Sequence, residues 1–364
     1  MNKKISIGIM VAILLIGGYM LLPQNKSQEK EIIKIGYITP LSGNVAFLGQ
    51  GIKNAAELAL TDLNKKSTRY QYQLIFEDDA FDPKRSVTAA AKLINIDKVD
   101  VLVSVASSAG SVVAPIAETN RIVHFGIAGD PNVAKGEYNF INWTPPAEEV
   151  KTFVSEAQKR GIKRIALFSQ SISGFAAVTS ELKKQLVGTG IELVFEDISN
   201  FGTKDFRTAV AKAKATAPDY YLLNMFSPEL EIVMGQIQAA GIKTPVTAIE
   251  SFELSDNPGI FEGLWYVNGA DPTESFASEY LRVFSKSPSI ATPNAYDIVG
   301  IVASAVESFK NGKPSTTELA QALVKTRGYN GALGNNLEIN NDGFVISKAV
   351  VRQIKDGKPV TVGK

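Results

Sequence analysis

From residue 32 onward the chain alternates short runs of β-branched and apolar residues with longer segments whose apolar positions recur at helical spacing. Stacked βα units produce that alternation, because a parallel sheet buries its strands under helices on both faces. The runs predict strands over residues 33–38, 71–77, 101–105, 122–126, 164–168, 192–197, 220–224 and 244–249. Between the first two, Ile52, Ala55, Ala56, Ala59, Leu60 and Leu63 fall on one helical face. Asp82 before Pro83 and Ser227 before Pro228 each set a capping side chain beside a proline suited to the first helical turn. Two such series predict an α/β protein of two doubly wound parallel-sheet lobes. The length agrees: 364 residues exceed one ordinary core and suit two of about 150.

Charge and rare residues narrow the function. Lys and Arg number 38 against 37 Asp and Glu, so no overall field draws nucleic acid or an anionic membrane surface. Cysteine is absent, which removes disulfides, thiolate metal sites, cysteine nucleophiles and lipid attachment at an N-terminal cysteine. The single histidine, His124, sits in the apolar run Ile122-Val123-His124-Phe125 and is expected to be structural. Enzyme signatures fail: Gly49-Gln50-Gly51 lacks the third glycine of a dinucleotide turn, and Ser171-Ile172-Ser173-Gly174 is not a nucleophile elbow. Asn340-Asn341-Asp342-Gly343 has the composition of a turn and misses the acid spacing of a calcium loop. The reading therefore predicts no catalytic residue, no metal and no cofactor.

Lys3 and Lys4 precede an uncharged apolar run over residues 5–22, about the length that spans a bilayer, and Pro23 ends it. No small-residue cleavage site follows. The pattern predicts a signal anchor over 1–23, retained and not cleaved, a polar tether over 24–31 and an extracytoplasmic remainder; cleavage would instead leave a secreted or periplasmic form.

In a doubly wound sheet the ligand site lies outside the carboxyl ends of the strands. Four strand-to-helix loops there have polar character: Ser107-Ser108-Ala109-Gly110-Ser111, Ser171-Ile172-Ser173-Gly174, Phe226-Ser227 and Ile249-Glu250-Ser251; the first strand likewise ends in a Gly/Ser-rich loop that feeds a helix. A helix opening at Ser107 would turn hydroxyl and N–H groups toward a carboxylate. Asp78 and Asp79 end a strand and are expected to be solvated or to bridge the lobes.

The segment Ile35-Gly36-Tyr37-Ile38-Thr39-Pro40-Leu41-Ser42-Gly43, together with Asp78-Asp79-Ala80-Phe81-Asp82-Pro83-Lys84 and Ala106-Ser107-Ser108, resembles the type I periplasmic solute-binding proteins of the branched-chain amino-acid and amide uptake family. The resemblance runs from about residue 33 to the C-terminus. It implies three crossings between lobes, a three-segment hinge, with lobe one at 32–143 plus 273–330 and lobe two at 144–272 plus 331–364. It further implies that the Ser107-Ser108 loop holds a ligand carboxylate, that Ala128 and Gly129 offer main-chain N–H groups, and that Glu250 takes the ligand's amino group. Ser173 stands where a tyrosine commonly caps the ligand, and Leu48 replaces an aromatic in the first loop. Ala147 stands near the usual place of a second acid. Trp143, Phe226 and Tyr296 are the aromatic candidates for cleft walls. The implied protein is an extracellular receptor that closes on a small polar ligand, with an amino acid first among them, and delivers it to an ABC permease. The alternative is a sensing subunit for an amide, urea or small carboxylate that regulates a signalling partner. The intact chain is expected to fractionate with membranes and to begin at its initiating methionine. A soluble form starting between residues 24 and 32 would overturn the anchor.

Overall fold

The computed structural model describes residues 30–66, 68–255 and 257–362; the anchor segment and most of the tether lie outside them. Among the described residues no helix is long and apolar enough to cross a membrane. Strand β1 (Ile32–Thr39), helix α1 (Ala46–Asn64), β2 (Gln71–Asp78), α2 (Pro83–Lys92), β3 (Val101–Val105), α3 (Ser107–Asn120), β4 (Val123–Ile127) and β5 (Asn139–Ile141) build the first lobe. Its sheet is parallel throughout, in the order β2-β1-β3-β4-β5. Ile52, Ala55, Ala56 and Ala59 bury the predicted face of α1 against Ile35, Tyr37, Val101 and Phe125, and Leu60 and Leu63 pack at its margin. The other face is covered by α2 and α3 through Ala90, Val113 and Ala117 against Ile38 and Leu102.

The second lobe repeats the scheme with α4 (Pro146–Lys159), β6 (Arg164–Gln170), α5 (Ser173–Leu186), β7 (Glu192–Ser199), α6 (Arg207–Ala215), β8 (Tyr220–Asn224), α7 (Glu229–Ala239) and β9 (Val246–Ala248). Its parallel order is β7-β6-β8-β9. β10 (Trp265–Gly269) then follows, touching this sheet through a parallel bridge from Ile249 to Val267. Helices α8 (Glu274–Phe284), α9 (Thr292–Glu307) and α10 (Thr316–Val324) return to the first-lobe core. The chain ends in a small hairpin, β11 (Tyr329–Gly331) and β12 (Gly334–Leu337), and in β13 (Ala349–Lys355), which pairs antiparallel with β10 and with β14 (Lys358–Thr361).

The predicted strands are present, the last cut to Val246–Ala248. β5 and β10 to β14 were not anticipated: β5 has 3 residues, too few for periodicity, and the antiparallel strands follow segments rich in Gly, Pro and Asn. Asp82 caps α2 as expected, accepting the Lys84 N–H. Ser227 does not cap α7; its hydroxyl donates to Glu231 at 2.5 Å. The Asn340 side chain accepts the N–H groups of Asp342 and Phe344 and so forms the predicted turn.

The segment 331–345 does not belong with lobe two. Ala332, Leu337, Ile339 and Val345 are buried in the first-lobe core, because the Asp297 carboxyl on α9 accepts the N–H groups of Ala332 and Leu333 at 2.5 and 2.8 Å and ties the hairpin down. The third crossing therefore falls near Ser347 instead of between 330 and 331. There the three crossing segments meet: Thr144 Oγ1 lies 3.0 Å from Ser347 Oγ, and the Ala270 N–H donates to Lys348 O at 2.9 Å.

His124, wholly buried on β4, is structural. The Asn139 amide nitrogen donates to Glu118 and to the Lys135 carbonyl. Its oxygen therefore accepts from Nδ1–H at 2.9 Å, and the Ser104 hydroxyl donates to Nε2 at 2.8 Å. Burial lowers the imidazole pKa to about 4, the Asn139 bond opposing it. Below pH 6.5 the unfolded chain takes a proton that the folded one refuses, so this group makes stability rise with pH across roughly 4 to 6.5. Urea unfolding of wild type and His124→Gln should show the wild type gaining up to about 3 kcal/mol relative to the variant over that window. Parallel profiles would assign the titration elsewhere.

Candidate functional site

Each sheet reverses its winding direction once, between β1 and β3 in lobe one and between β6 and β8 in lobe two. Crevices form at the carboxyl ends of such strand pairs, and the hinge turns the two crevices toward each other. The resulting cleft, with its open mouth, takes in about 700 Å³ of atom-free space. Pro40 after β1, Ala106 and Ser107 after β3, Ile172 and Gly174 after β6, and Phe226 after β8 all line it.

In lobe one the first loop is held by Asp78, whose carboxylate accepts the N–H groups of Leu41, Ser42 and Ala80 and the Ser42 hydroxyl. Burial alone would raise its pKa, but these donors outweigh burial and hold it below the ordinary carboxylate value. Asp79 is buried, its pKa raised by that burial, and it accepts Ser86 Oγ–H and Phe81 N–H. Neither acid is lobe-bridging and Asp79 is not solvated; both shape their own lobe's loops. Between them they hold Ala80 and Phe81 at φ 48° and 65°, a left-handed turn that carries the Phe81 ring across to Phe226, 5.3 Å away edge to face.

Ala106, at φ 73°, turns the chain from β3 into α3. Ser107 opens that helix, and its Oγ accepts the N–H groups of Gly129 and Asp130, each at 3.1 Å. The Gly129 N–H is thus used inside lobe one and is not offered to the cleft as expected. Two accepted bonds leave the Ser107 hydroxyl proton free to donate. First-turn N–H groups have no intrahelical acceptor either, so the start of α3 presents donors and a positive dipole end to the cleft.

Lobe two contributes one acid. Glu250 follows β9 at φ 64° with its N–H bonded to Val267 O at 2.8 Å. A non-glycine residue in this region costs of order 1 kcal/mol or more and persists where its surroundings impose it. Glu250 is only 8% exposed, and its carboxyl accepts a very short bond from the Trp143 indole N–H. Glu149, in the first turn of α4, has its carboxyl close enough to interact with it. Burial raises the pKa of both; the neighbouring Glu250 charge raises Glu149 further, and the Glu149 and Trp143 bonds partly offset the rise at Glu250.

The remaining lining is apolar, including Leu48, Ile52, Phe81, Val105, Ile127, Phe175, Leu254 and Ile290. The lobes are shut on each other: Ser111 Oγ and Ser173 Oγ meet at 3.3 Å. Over residues 32–359 the sequence matches the family model of the periplasmic binding proteins. The chain belongs to the periplasmic binding protein family. It is a solute-binding protein and not an enzyme.

Among its relatives, the leucine-, isoleucine-, valine-, threonine- and alanine-binding protein of Pseudomonas aeruginosa is 26% identical over 82% of this chain and 83% of its own length. Among solved structures, the branched-chain amino-acid transporter substrate-binding protein of Streptococcus pneumoniae, in complex with isoleucine, aligns at TM-score 0.79 and 21% identity, covering 90% of this chain and 98% of that one. A solute-binding protein of an ABC transporter from R. palustris, in complex with benzoate, aligns at 0.82 and 19%, covering 91% and 96%.

Of the sequence-predicted residues of this periplasmic binding protein, Leu48, Ser107, Ala128, Gly129, Phe226 and Glu250 surround the cleft, as does Trp143. Ser108 faces a separate lip pocket with Phe81 and Phe201. Ser173 spends its hydroxyl on the lobe-to-lobe contact, outside the main lining. Tyr296 is not a cleft wall: its hydroxyl donates to Asp62 on α1 and its ring packs on Phe276. Helical spacing explains the miss, since Tyr296 lies two positions beyond Asn294, whose amide donates toward the hinge at Asn142, and so points to another face of α9. Glu149 and Phe81 were missed; Glu149 reads as an ordinary first-turn acid, two residues beyond the Ala147 position the resemblance marked.

Closure depends on Gly174. A Cβ there would stand 2.6 Å from Ser107 Oγ, which its two accepted N–H bonds keep from yielding. Gly174→Ala should hold the lobes apart, seen in scattering as a larger radius of gyration than wild type under ligand saturation. Equal radii would show that closure tolerates bulk at this point.

Proposed function

We propose that this protein captures an amino acid with an apolar side chain between its closing lobes and hands it to an ABC permease. The observation that carries the reading is the opposition, across an otherwise apolar cleft, of the α3 N-terminus with Ser107 on one lobe and Glu250 on the other. A zwitterion matches both ends: its carboxylate meets the helix donors, its ammonium meets Glu250, and its side chain meets the aromatic and aliphatic walls. The relatives' named ligands support the same class. Binding energy is used for closure, and the closed form is what a permease would recognise. The N-terminal apolar segment would hold the receptor at the outer face of the membrane.

An aromatic carboxylate is the second reading, favoured by the apolar walls and by the burial of Glu250, which a protonated acid would suit. The same fold holds benzoate in the R. palustris protein.

Calorimetry separates the two. With L-leucine, Glu250→Gln should weaken binding at least about tenfold, as loss of a charge-assisted bond of about 1.5–3 kcal/mol requires. Ser107→Ala should cost less, about 0.5–1.5 kcal/mol. For benzoate the Glu250→Gln change should leave Kd near its wild-type value. Leucine affinity unmoved in Glu250→Gln would remove the amino-acid reading.

A further inference from the structure

Glu149 is 1% exposed, and neither of its carboxyl oxygens has an N–H or O–H donor from the rest of the described protein. Its polar neighbour is the carboxyl of Glu250, a residue 8% exposed. Two carboxylates in such surroundings cannot both ionise without a compensating cation. The charged groups on the packed elements do not supply one. Arg352 on β13 is bound to Glu253 and Asp271. On α5, Lys183 pairs with Glu196 on β7 and Lys184 with Glu181, all toward the surface. Glu148 on α4 reaches Lys151, β10 carries no charged side chain, and Lys355 at the end of β13 is exposed. Glu253, the remaining neighbour of Glu250, carries a like charge engaged with Tyr266, Asn268 and Arg352.

We propose that Glu149 is a neutral carboxylic acid at neutral pH, that its O–H donates to Glu250, and that it thereby positions Glu250 as the single negative charge of the cleft. Trp143 and Glu149 then hold that carboxylate from two sides, leaving its remaining lone pairs toward the ligand. Glu149 is a positioning residue and does not line the cleft itself. For ligand recognition this rests on the amino-acid reading above; for the protonation state it does not.

The charge state is tested first without ligand. If folded Glu149 keeps its proton, the unfolded chain loses one that the native chain retains, and the wild type becomes less stable than Glu149→Gln as pH rises above the ordinary carboxylate value. The folding constant of Glu149→Gln relative to wild type should grow about tenfold per pH unit until the native group itself ionises. A ratio independent of pH from 4 to 8 would overturn the proposal. Carbon-13 carboxyl shifts of the wild-type chain test it without a variant: a glutamate should keep a protonated shift at pH 7, and fully ionised glutamates would overturn it. With L-leucine as probe, Glu149→Gln, whose amide can donate as the acid does, should bind within about threefold of wild type, whereas Glu149→Leu should lose about tenfold for want of the donor. A tenfold loss in Glu149→Gln would make Glu149 a second ionised acid and overturn the proposal. Failure of the wild type to bind any amino acid would instead overturn the amino-acid reading, and the pH profile would still decide the charge state of Glu149.

Discussion

The approach of Gly174 to Ser107 constrains how the two lobes meet. Helix α5 of one lobe begins where only hydrogen separates its backbone from the Ser107 hydroxyl that opens α3 of the other. Packed interiors have no slack at this distance, so the lobes close in one register. The shape of the cleft follows from it. Phe81 reaches Phe226, and Ser111 reaches Ser173, because the helix starts are already in contact.

Around that contact, strain is gathered at the cleft. Ala106, Glu250 and Ala291 all line it with φ between 64° and 73°, a region that side chains other than glycine seldom occupy. Ala106 and Glu250 are fixed by backbone N–H bonds to Ile127 O and Val267 O, so the adjacent strands β4 and β10 hold the two turns. At Ala106 it releases the first-turn donors of α3, and at Glu250 it turns an acid out of β9 into an apolar enclosure. There the lack of water makes each polar group count for more than it would at a surface.

Much of this was legible in the residues themselves. Strand and helix spacing located eight parallel strands because each is a buried run bounded by turn chemistry. Ser107 and Glu250 were legible because each follows such a run at its carboxyl end. Tyr296, Ser173 and the hairpin after residue 328 were misread for a common reason: their place depends on which surface a helix or crossing segment meets, and local spacing does not carry that. Asp297 shows it well, since its bonds to Ala332 and Leu333 move a hairpin from one lobe to the other.

The sequence by itself determined the class of the fold, the two-lobe plan and the loops that meet at the site, because hydrophobic period and turn residues act over a few positions. Tertiary structure alone decided how the acids divide their work. Asp78 and Asp79 read as solvated or lobe-bridging acids and are loop supports; Glu149 looks like a solvated first-turn acid and is buried beside Glu250. The charge of a carboxyl group depends on the water, donors and like charges within a few ångströms of it. For Glu149 and Glu250 those neighbours come from the hinge tryptophan with the adjoining first turn of α4 and from the loop after β9, 107 positions beyond Trp143, and the two segments meet only once the chain has folded.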